Sequence, residues 1–134
     1  MFSGPKHLKF KKIWKGKLKK YEYWSIDLKF GVVGLKAAES GMITSIQLEA
    51  ARQAISRKMQ KKGKLWIRVF TYLPITKKPN ESRMGKGTGS FSHWAVKVAS
   101  GAVLFEAFGY QLSTLISAFK TGGAKLPVKT KICF

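Results

Sequence analysis

Only six carboxylates stand against 26 lysine and arginine side chains in this 134-residue chain, so any compact fold must carry a large unpaired positive charge. The formal net charge is +20, and such an excess repels itself unless an anion neutralises it. Solubility alone needs a net charge of about 2–8. The charge therefore favours a polyanionic partner, most commonly nucleic acid, with an anionic membrane surface as the alternative.

Composition disfavours several classes of protein. Hydrophobic residues make up 45% of the chain, which is typical of a globular domain and not of a disordered basic tail. No apolar run approaches the ~20 residues of a membrane-spanning helix, and the first residues lack the apolar core of a signal peptide. One cysteine, Cys133, and two histidines exclude a disulfide framework and show no metal-ligand spacing. Because acids are also scarce, we expect no enzyme activity, metal, cofactor or small-molecule substrate.

Residues 1–20 are interpreted as a basic RNA-binding arm. They contain eight lysines and no acid, and Phe10, Ile13 and Trp14 are interleaved among them. A disordered, solvated arm does not normally carry such rings, whereas an arm that folds against RNA stacks its rings on bases and brings its lysines to phosphates. The alternative is that the rings close over the core of the protein's own domain, residues 21–134.

A capped helix is a clear local signal. Thr44 and Gln47 fit a capping box, and the helix is expected to run to about Lys62 with Gly63 beyond its end. Its apolar stripe consists of Leu48, Ala51, Ile55 and Met59. Glu49 is expected to be solvated or to pair within the helix. Basic residues on the other faces suit RNA and, in part, the helix dipole; they are Arg52, Arg57, Lys58, Lys61 and Lys62.

Strands are indicated by alternating polarity and by β-forming residues. Residues 24–30 alternate and predict a half-buried strand. Residues 93–99 and 103–108, joined by the turn signal Ser100-Gly101, predict a hairpin. The remaining predicted elements are strands at 65–70 and 128–134, an edge segment at 75–78 and an amphipathic helix at 109–121. The pattern predicts a single compact α+β domain with two helices and a mainly antiparallel sheet.

A glycine-rich loop is predicted over residues 80–92. It is not a P-loop, because Gly87 follows Lys86, and it is not a dinucleotide-binding fingerprint, because Ser90 stands where the last glycine is required. Glycines let backbone N–H groups approach phosphates closely. The loop is therefore a candidate contact with a polyanion, and an ordinary flexible loop is the alternative.

Single side chains with reactive potential favour structural roles. His93 has no serine, cysteine or acid placed by the sequence as a catalytic partner. Cys133 suits packing better than nucleophilic chemistry. Trp66 and Trp94 lie in predicted strands and are interpreted as core or half-buried residues. Stacking on bases is the alternative, and it is less favoured for them than for Trp14.

Seven segments occur in the same order as in a known protein family and together cover nearly the whole chain. They are Pro5-Lys6 through Lys15-Gly16, Phe30-Gly31 with Gly34-Leu35-Lys36-Ala37, Gln47 to Arg52, Gly63 to Phe70, Pro74-Ile75-Thr76 with Lys78-Pro79, Arg83 to Gly87, and Lys125-Leu126-Pro127 with Lys129-Thr130. In these segments the chain resembles the large-subunit ribosomal protein family numbered sixteen in bacteria and ten-e in archaea and eukaryotes. The Trp66 strand followed by the Arg83 loop is the most specific part of the resemblance.

The resemblance implies a structural, non-enzymatic protein of the large ribosomal subunit that also supports late assembly. It implies contacts with large-subunit rRNA, with 5S rRNA or its equivalent, with aminoacyl-tRNA and with neighbouring ribosomal proteins. The residues expected in the loop near the tRNA and the peptidyl-transfer region are Arg83, Met84, Gly85, Lys86 and Gly87. The residues expected to contact rRNA are Lys6, Lys9, Lys11, Lys12, Lys15, Lys17, Arg52, Arg57, Lys61, Lys62, Arg68 and Lys77.

The chain also departs from the family pattern. Thr88 and Gln53 stand where the family has a basic residue, residues 18–25 diverge, and Gly122-Gly123 suggest that the second helix ends early. Lysine in place of arginine, with many phenylalanines, suggests an AT-rich coding sequence and an organellar ribosome. We expect the mitochondrial matrix, with the plastid stroma and the bacterial cytoplasm as alternatives. A stand-alone basic domain that binds RNA or an anionic membrane surface is the alternative function.

Overall fold

The computed structural model describes residues 4–7, 9–10 and 12–134. Within this part of the chain the helices and strands begin at residue 33 and continue to residue 133. In chain order they are β1 (Val33–Ala37), β2 (Gly41–Thr44), α1 (Ser45–Lys58), β3 (Lys64–Ile67), β4 (Leu73–Lys77), β5 (Ser90–Val98), β6 (Val103–Phe108), α2 (Leu112–Gly123) and β7 (Thr130–Cys133).

The strands form two antiparallel sheets. The larger sheet has the order β3-β6-β1-β7 and the smaller has the order β2-β5-β4. The helices pack against each other, and α2 also packs against β1. The predicted α+β class, with two helices and mainly antiparallel strands, is confirmed, although the strands are divided between two sheets. The predicted edge segment is also confirmed, because β4 lies at the edge of the smaller sheet.

The capping box and apolar stripe of α1 are confirmed. The Thr44 hydroxyl accepts the N–H of Gln47 at 3.3 Å, and the Gln47 side-chain oxygen accepts the N–H of Thr44 at 2.9 Å. The four stripe residues are all buried in one core with β1 and β6. The helix ends at Lys58, four residues before the predicted end, because Gln60 and Lys61 adopt left-handed φ angles of 52° and 60°.

Gly63 has a different role from the helix-ending one predicted for it. Its φ is 78°, and a Cβ at this position would lie 2.5 Å from the carbonyl oxygen of Phe108. Glycine is therefore needed where the chain enters β3 and approaches the end of β6. Glycine is required at this position by the pairing of β3 with β6 and not by the end of α1.

The expectation that Gly122-Gly123 end the second helix early is wrong, because α2 includes both residues. A Cβ at Gly122 would lie 2.4 Å from Cγ1 of Ile55 on α1. Glycine thus lets the two helices approach closely, and this packing outweighs a helix-propensity penalty of about 1 kcal/mol relative to alanine.

The strand predicted at residues 24–30 is absent, and its apolar side chains do not form a buried face. Trp24 is 89% exposed and Phe30 is 58% exposed. The backbone N–H groups of Lys29, Phe30 and Gly31 donate to the carboxylate of Glu106 instead of to a neighbouring strand. A side chain of β6 therefore satisfies the donors that a strand would have presented to a sheet.

The predicted hairpin of residues 93–99 and 103–108 is also wrong, because β5 and β6 belong to different sheets. The chain turns at Gly101, whose φ is 93° and whose N–H donates to the Ala37 carbonyl at 2.8 Å. The N–H of Ala37 in turn donates to the Ala102 carbonyl at 2.9 Å. The turn therefore bonds to the end of β1, and β6 continues along β1 instead of folding back on β5.

Candidate nucleic-acid interface

Arg68, one of the predicted rRNA contacts, forms an internal ion pair instead. Its side chain is only 10% exposed and its guanidinium donates to the carboxylate of Glu106, which is fully buried. The same carboxylate accepts the N–H of Phe30 at 2.7 Å and of Gly31 at 2.9 Å. A buried carboxylate needs such partners, so the geometry gives Arg68 a structural role.

The sequence contained a signal for this pair that our predictions did not use. Glu106 is the single acid within the apolar run of β6, and a buried acid calls for a buried cation. Trp66 pairs with Glu106 across the sheet. Arg68 directly follows the end of β3, two residues beyond Trp66, and its N–H still donates to the Leu104 carbonyl of β6 at 2.9 Å. The register that joins them is a tertiary feature and could not be inferred from local spacing.

Arg52, a second predicted rRNA contact, also has an internal partner. Its Nε and Nη2 donate to the two carboxylate oxygens of Glu49 at 2.9 and 2.7 Å, so the predicted intrahelical role of Glu49 is confirmed. The hydrogen bond from Arg52 lowers the pKa of the Glu49 carboxyl, and the same bond raises the pKa of Arg52. A phosphate at this site would have to compete with Glu49 for the guanidinium.

The other predicted cations in the described part of the chain are exposed. They are Lys6, Lys9, Lys12, Lys15, Lys17, Arg57, Lys61, Lys62, Lys77, Arg83 and Lys86. Lys11 lies outside the described residues. Most of the predicted cations therefore lie on the surface.

The aromatic side chains of the arm lie on the surface. Trp14 is 90% exposed and Phe10 is 65% exposed, which contradicts the alternative that these rings close over the protein's own core. The ammonium of Lys9 lies 5.7 Å from the centre of the Phe10 ring. Rings and cations are thus displayed together, as a partner with both phosphates and bases requires.

The glycine-rich loop runs up to Gly89, because β5 begins at Ser90. Gly85, Lys86 and Gly87 adopt φ angles of 101°, 51° and 84°, and a Cβ at either glycine would meet nothing within 4 Å. These glycines therefore serve the left-handed backbone conformation and not a tight contact. The side chain of Lys78 donates to the carbonyl of Gly85 and so ties the loop to the end of β4.

The arm and the loop meet. The ammonium of Lys12 donates to the Thr88 carbonyl at 3.1 Å. A groove of about 960 Å³ lies between them, lined by Pro5, Lys6, His7, Lys12, Thr88, Gly89, Ser90, Phe91 and Trp94. We call this the arm–loop groove. It combines three basic side chains with two aromatic rings, whose centres are 5.1 Å apart.

A separate surface lies where α1 ends, and we call this surface, with Lys61 and Lys62 just beyond the helix, the basic end of α1. Lys61 and Lys62 line a smaller concavity of about 160 Å³ with Arg52 and Gly63, and this concavity shares no residue with the arm–loop groove. Of the predicted rRNA contacts, Lys6 and Lys12 line the arm–loop groove, whereas Arg52, Lys61 and Lys62 line this second concavity.

Trp94 is a groove residue that sequence reasoning placed in the core or half-core, with stacking on bases as the less favoured alternative. It is half-buried, and a Cβ at Gly4 would lie 2.4 Å from its ring, so the arm backbone lies directly against the indole. Phe91, at the start of β5, was placed inside the loop by the predicted bounds. The signal available was the presence of two aromatic residues, Phe91 and Trp94, shortly after Gly89.

The remaining candidate residues have structural surroundings. The Cys133 thiol is half-buried and burial raises its pKa, which agrees with packing and disfavours a thiolate nucleophile. Trp66 is half-buried and stacks on Phe30 with ring centres 6.0 Å apart. Among the described residues there is no group of three or more potential metal ligands. The described helices include none that is long and apolar enough to cross a membrane.

Comparison with known proteins gives a match along almost the whole chain. The family model described as ribosomal protein L16p/L10e matches residues 5–133. The chain is 47% identical over 127 residues to a Bartonella henselae protein named large ribosomal subunit protein uL16. The aligned region covers 95% of this chain and 93% of that protein. The chain is 48% identical, with the same coverage, to the protein of that name from Bartonella bacilliformis. The match spans the arm, the glycine-rich loop and every helix and strand described above.

Proposed function

The chain belongs to the ribosomal protein L16p/L10e family, and we propose that it acts in the large ribosomal subunit by binding rRNA through the arm–loop groove. Members of this family are structural proteins of the ribosome, so the chain is not an enzyme. The observation that carries the proposal is the contact between Lys12 and Thr88, which joins the basic arm and the glycine-rich loop into one surface. The basic end of α1 provides a second rRNA contact.

The arm–loop groove suits RNA because it offers different groups to different parts of a nucleotide. Lys6, Lys12 and His7 line it and can face phosphates, while Phe91 and Trp94 provide aromatic surface for a base. Phosphate contacts fix the position of a protein on RNA, and stacking on an unpaired base is worth about 1–3 kcal/mol. The groove is thus suited to an irregular or single-stranded rRNA segment.

The loop is proposed to reach the functional RNA of the subunit. Met84 is fully exposed, and Arg83 and Lys86 are exposed beside it. The planar fork of Arg83 can donate two hydrogen bonds to a phosphate or a base edge, which a lysine cannot copy. We propose that this loop lies near the aminoacyl-tRNA and the peptidyl-transfer region, and that 5S rRNA or its equivalent and other ribosomal proteins are neighbours.

The compartment of this ribosome is a separate question. The two relatives are bacterial, which fits the bacterial cytoplasm. The lysine-rich composition favours a mitochondrial ribosome, which stays a prediction. Cell fractionation followed by immunodetection of the chain in purified large subunits distinguishes the bacterial cytoplasm from the mitochondrion. A high-salt wash of the same subunits distinguishes the two candidate functions. A ribosomal protein stays with the subunit, whereas a stand-alone RNA-binding or membrane-surface protein is removed.

The interface is tested by comparing two triple lysine variants of equal charge. Lys9, Lys12 and Lys15 are replaced by alanine in one, and the exposed Lys120, Lys125 and Lys131 in the other. Each lost phosphate contact lowers the slope of log affinity against log salt concentration by about 0.7–0.9. We expect the arm variant to lose about 2 in slope on an rRNA fragment and the control to lose less than about 1. Equal losses would mean that net charge alone drives binding, and the proposed interface would be wrong.

A further inference from the structure

Residues 21–28, which we call the aromatic segment, expose large apolar side chains without a partner in the described chain. Tyr21 is 63% exposed, Tyr23 78%, Trp24 89% and Ile26 38%. An aromatic ring buries roughly 150–250 Å² when it is covered. Contiguous apolar patches of this kind on a soluble protein mark interaction surfaces.

The aromatic segment is held in place by its backbone. The N–H of Glu22 donates to the Ser100 carbonyl at 3.0 Å, and the N–H of Ser100 donates to the Lys20 carbonyl at 3.3 Å. Further along, the Ser25 carbonyl accepts the N–H of Val103 at 3.0 Å. The rings therefore project from a fixed backbone, and less ordering entropy opposes association than for a free tail.

The charge of the aromatic segment is opposite to that of the arm before it. Residues 1–20 contain eight lysines and no acid, whereas residues 21–28 contain Glu22 and Asp27 and no lysine or arginine. Two carboxylates beside the rings repel phosphates, so the segment does not suit RNA. They suit a surface that carries lysine or arginine.

We propose that the aromatic segment is a docking surface for a neighbouring basic protein of the large subunit. Tyr23 and Trp24 are the anchors, since tyrosine and tryptophan are the residues that most often dominate the binding energy of protein interfaces. Glu22 and Asp27 pair with lysine or arginine side chains of the neighbour. A protein that shares an rRNA surface must itself neutralise phosphates and so carries such cations. The inference rests on the place of the chain in the large subunit but on none of its proposed rRNA contacts.

Carboxyl–amine coupling in purified large subunits tests the partner class. A water-soluble carbodiimide activates a carboxylate, a lysine amine attacks the carboxyl carbon to form an amide, and the carbodiimide leaves as its urea. Mass spectrometry should find Glu22 or Asp27 joined to a lysine of a different protein. Glu81, exposed within the glycine-rich loop, is the control and should show no such product. Coupling of Glu22 and Asp27 only within the chain, or no coupling, would overturn the proposal.

Two tryptophan variants separate the protein partner from RNA. Trp14 and Trp24 are matched in exposure, at 90% and 89%, but lie in segments of opposite charge. We expect Trp14→Ala to weaken binding of the free protein to an rRNA fragment by fivefold or more, and Trp24→Ala to change it less than twofold. If Trp24→Ala weakens RNA binding as much as Trp14→Ala, the segment is an RNA-stacking surface and the proposal is wrong. Failure of the rRNA proposal would instead appear as no effect of Trp14→Ala or of the arm lysines.

Discussion

Replacing Glu106 by glutamine should destabilise the protein far more than the same change at Glu49. Glu106 is fully buried and accepts hydrogen bonds from Arg68 and from the N–H groups of residues 29–31. Glutamine has nearly the same shape, but it carries no charge and presents an NH₂ group where an acceptor is needed. The change leaves the guanidinium of Arg68 without its anion in a site that is only 10% exposed.

The expected cost follows from the burial of this pair. Removing one partner of a buried ion pair costs about 3–5 kcal/mol, whereas an exposed pair on a helix contributes about 0.3–0.5 kcal/mol. A domain has a total stability of about 5–15 kcal/mol, so Glu106→Gln removes a large share of it. Glu49→Gln should change the free energy of unfolding by less than about 0.5 kcal/mol because the Glu49–Arg52 pair is about one-third exposed.

Urea denaturation followed by circular dichroism measures both variants against the unchanged protein. Amide exchange should also become faster at residues 29–31 in Glu106→Gln, since the acceptor of these N–H groups is lost. Equal unfolding midpoints for Glu106→Gln and Glu49→Gln would refute the reasoning. A stability loss without faster exchange at residues 29–31 would show that the carboxylate does not hold this segment.

Three further changes test other parts of the structure. Gly122→Ala should destabilise the protein by about 1–3 kcal/mol, seen as a lower melting temperature, because the added methyl group collides with Ile55. The pKa of Glu49 lies below its ordinary value of 4.5. Its ion pair therefore stabilises the fold above pH 4.5, and this contribution is lost as the pH falls through the lowered pKa. A midpoint at or above pH 4.5 for Glu49 in an NMR titration would contradict this. Arg83→Ala should change stability by less than about 0.5 kcal/mol yet slow elongation or subunit assembly, whereas Trp66→Ala should cost about 3 kcal/mol and reduce soluble yield. An equal fall in melting temperature for these two variants would make the loop a structural element.

The sequence predicted the parts of the fold that depend on local interactions. The capping box of Thr44 and Gln47 joins residues three apart, and the buried stripe of α1 repeats within the helix itself. The predicted strand at residues 24–30 failed because its N–H groups bond to a carboxylate 75–77 residues away. The predicted hairpin failed because β6 pairs with β1 and β3, which lie far earlier in the chain, and not with β5. Alternating polarity indicates an extended chain but does not determine its partner.

The same limit applies to the candidate site. Charge density indicated the arm and the basic end of α1 as candidate contacts, since charged side chains are mostly exposed, and glycine content together with two cations indicated the loop. Charge density could not show that Arg83 is exposed whereas Arg68 is held in a largely buried ion pair. The burial of Arg68 depends on the register between β3 and β6. The meeting of the arm with the loop at Lys12 and Thr88 is likewise a contact between residues 76 positions apart.

The distribution of the two basic residue types has a consequence for specificity. The chain has 22 lysines and four arginines, and the two ion pairs of the described residues both use arginine, at Arg52 and Arg68. The planar guanidinium can satisfy a carboxylate in two directions, while the ammonium of lysine is a strongly hydrated point charge. Arg52 and Arg68 are therefore used within the fold, and we expect the lysines to provide a strong but non-specific attraction to phosphates. Only Arg57 and Arg83 remain exposed to offer a bidentate contact, so these two positions should determine where on the rRNA the protein sits.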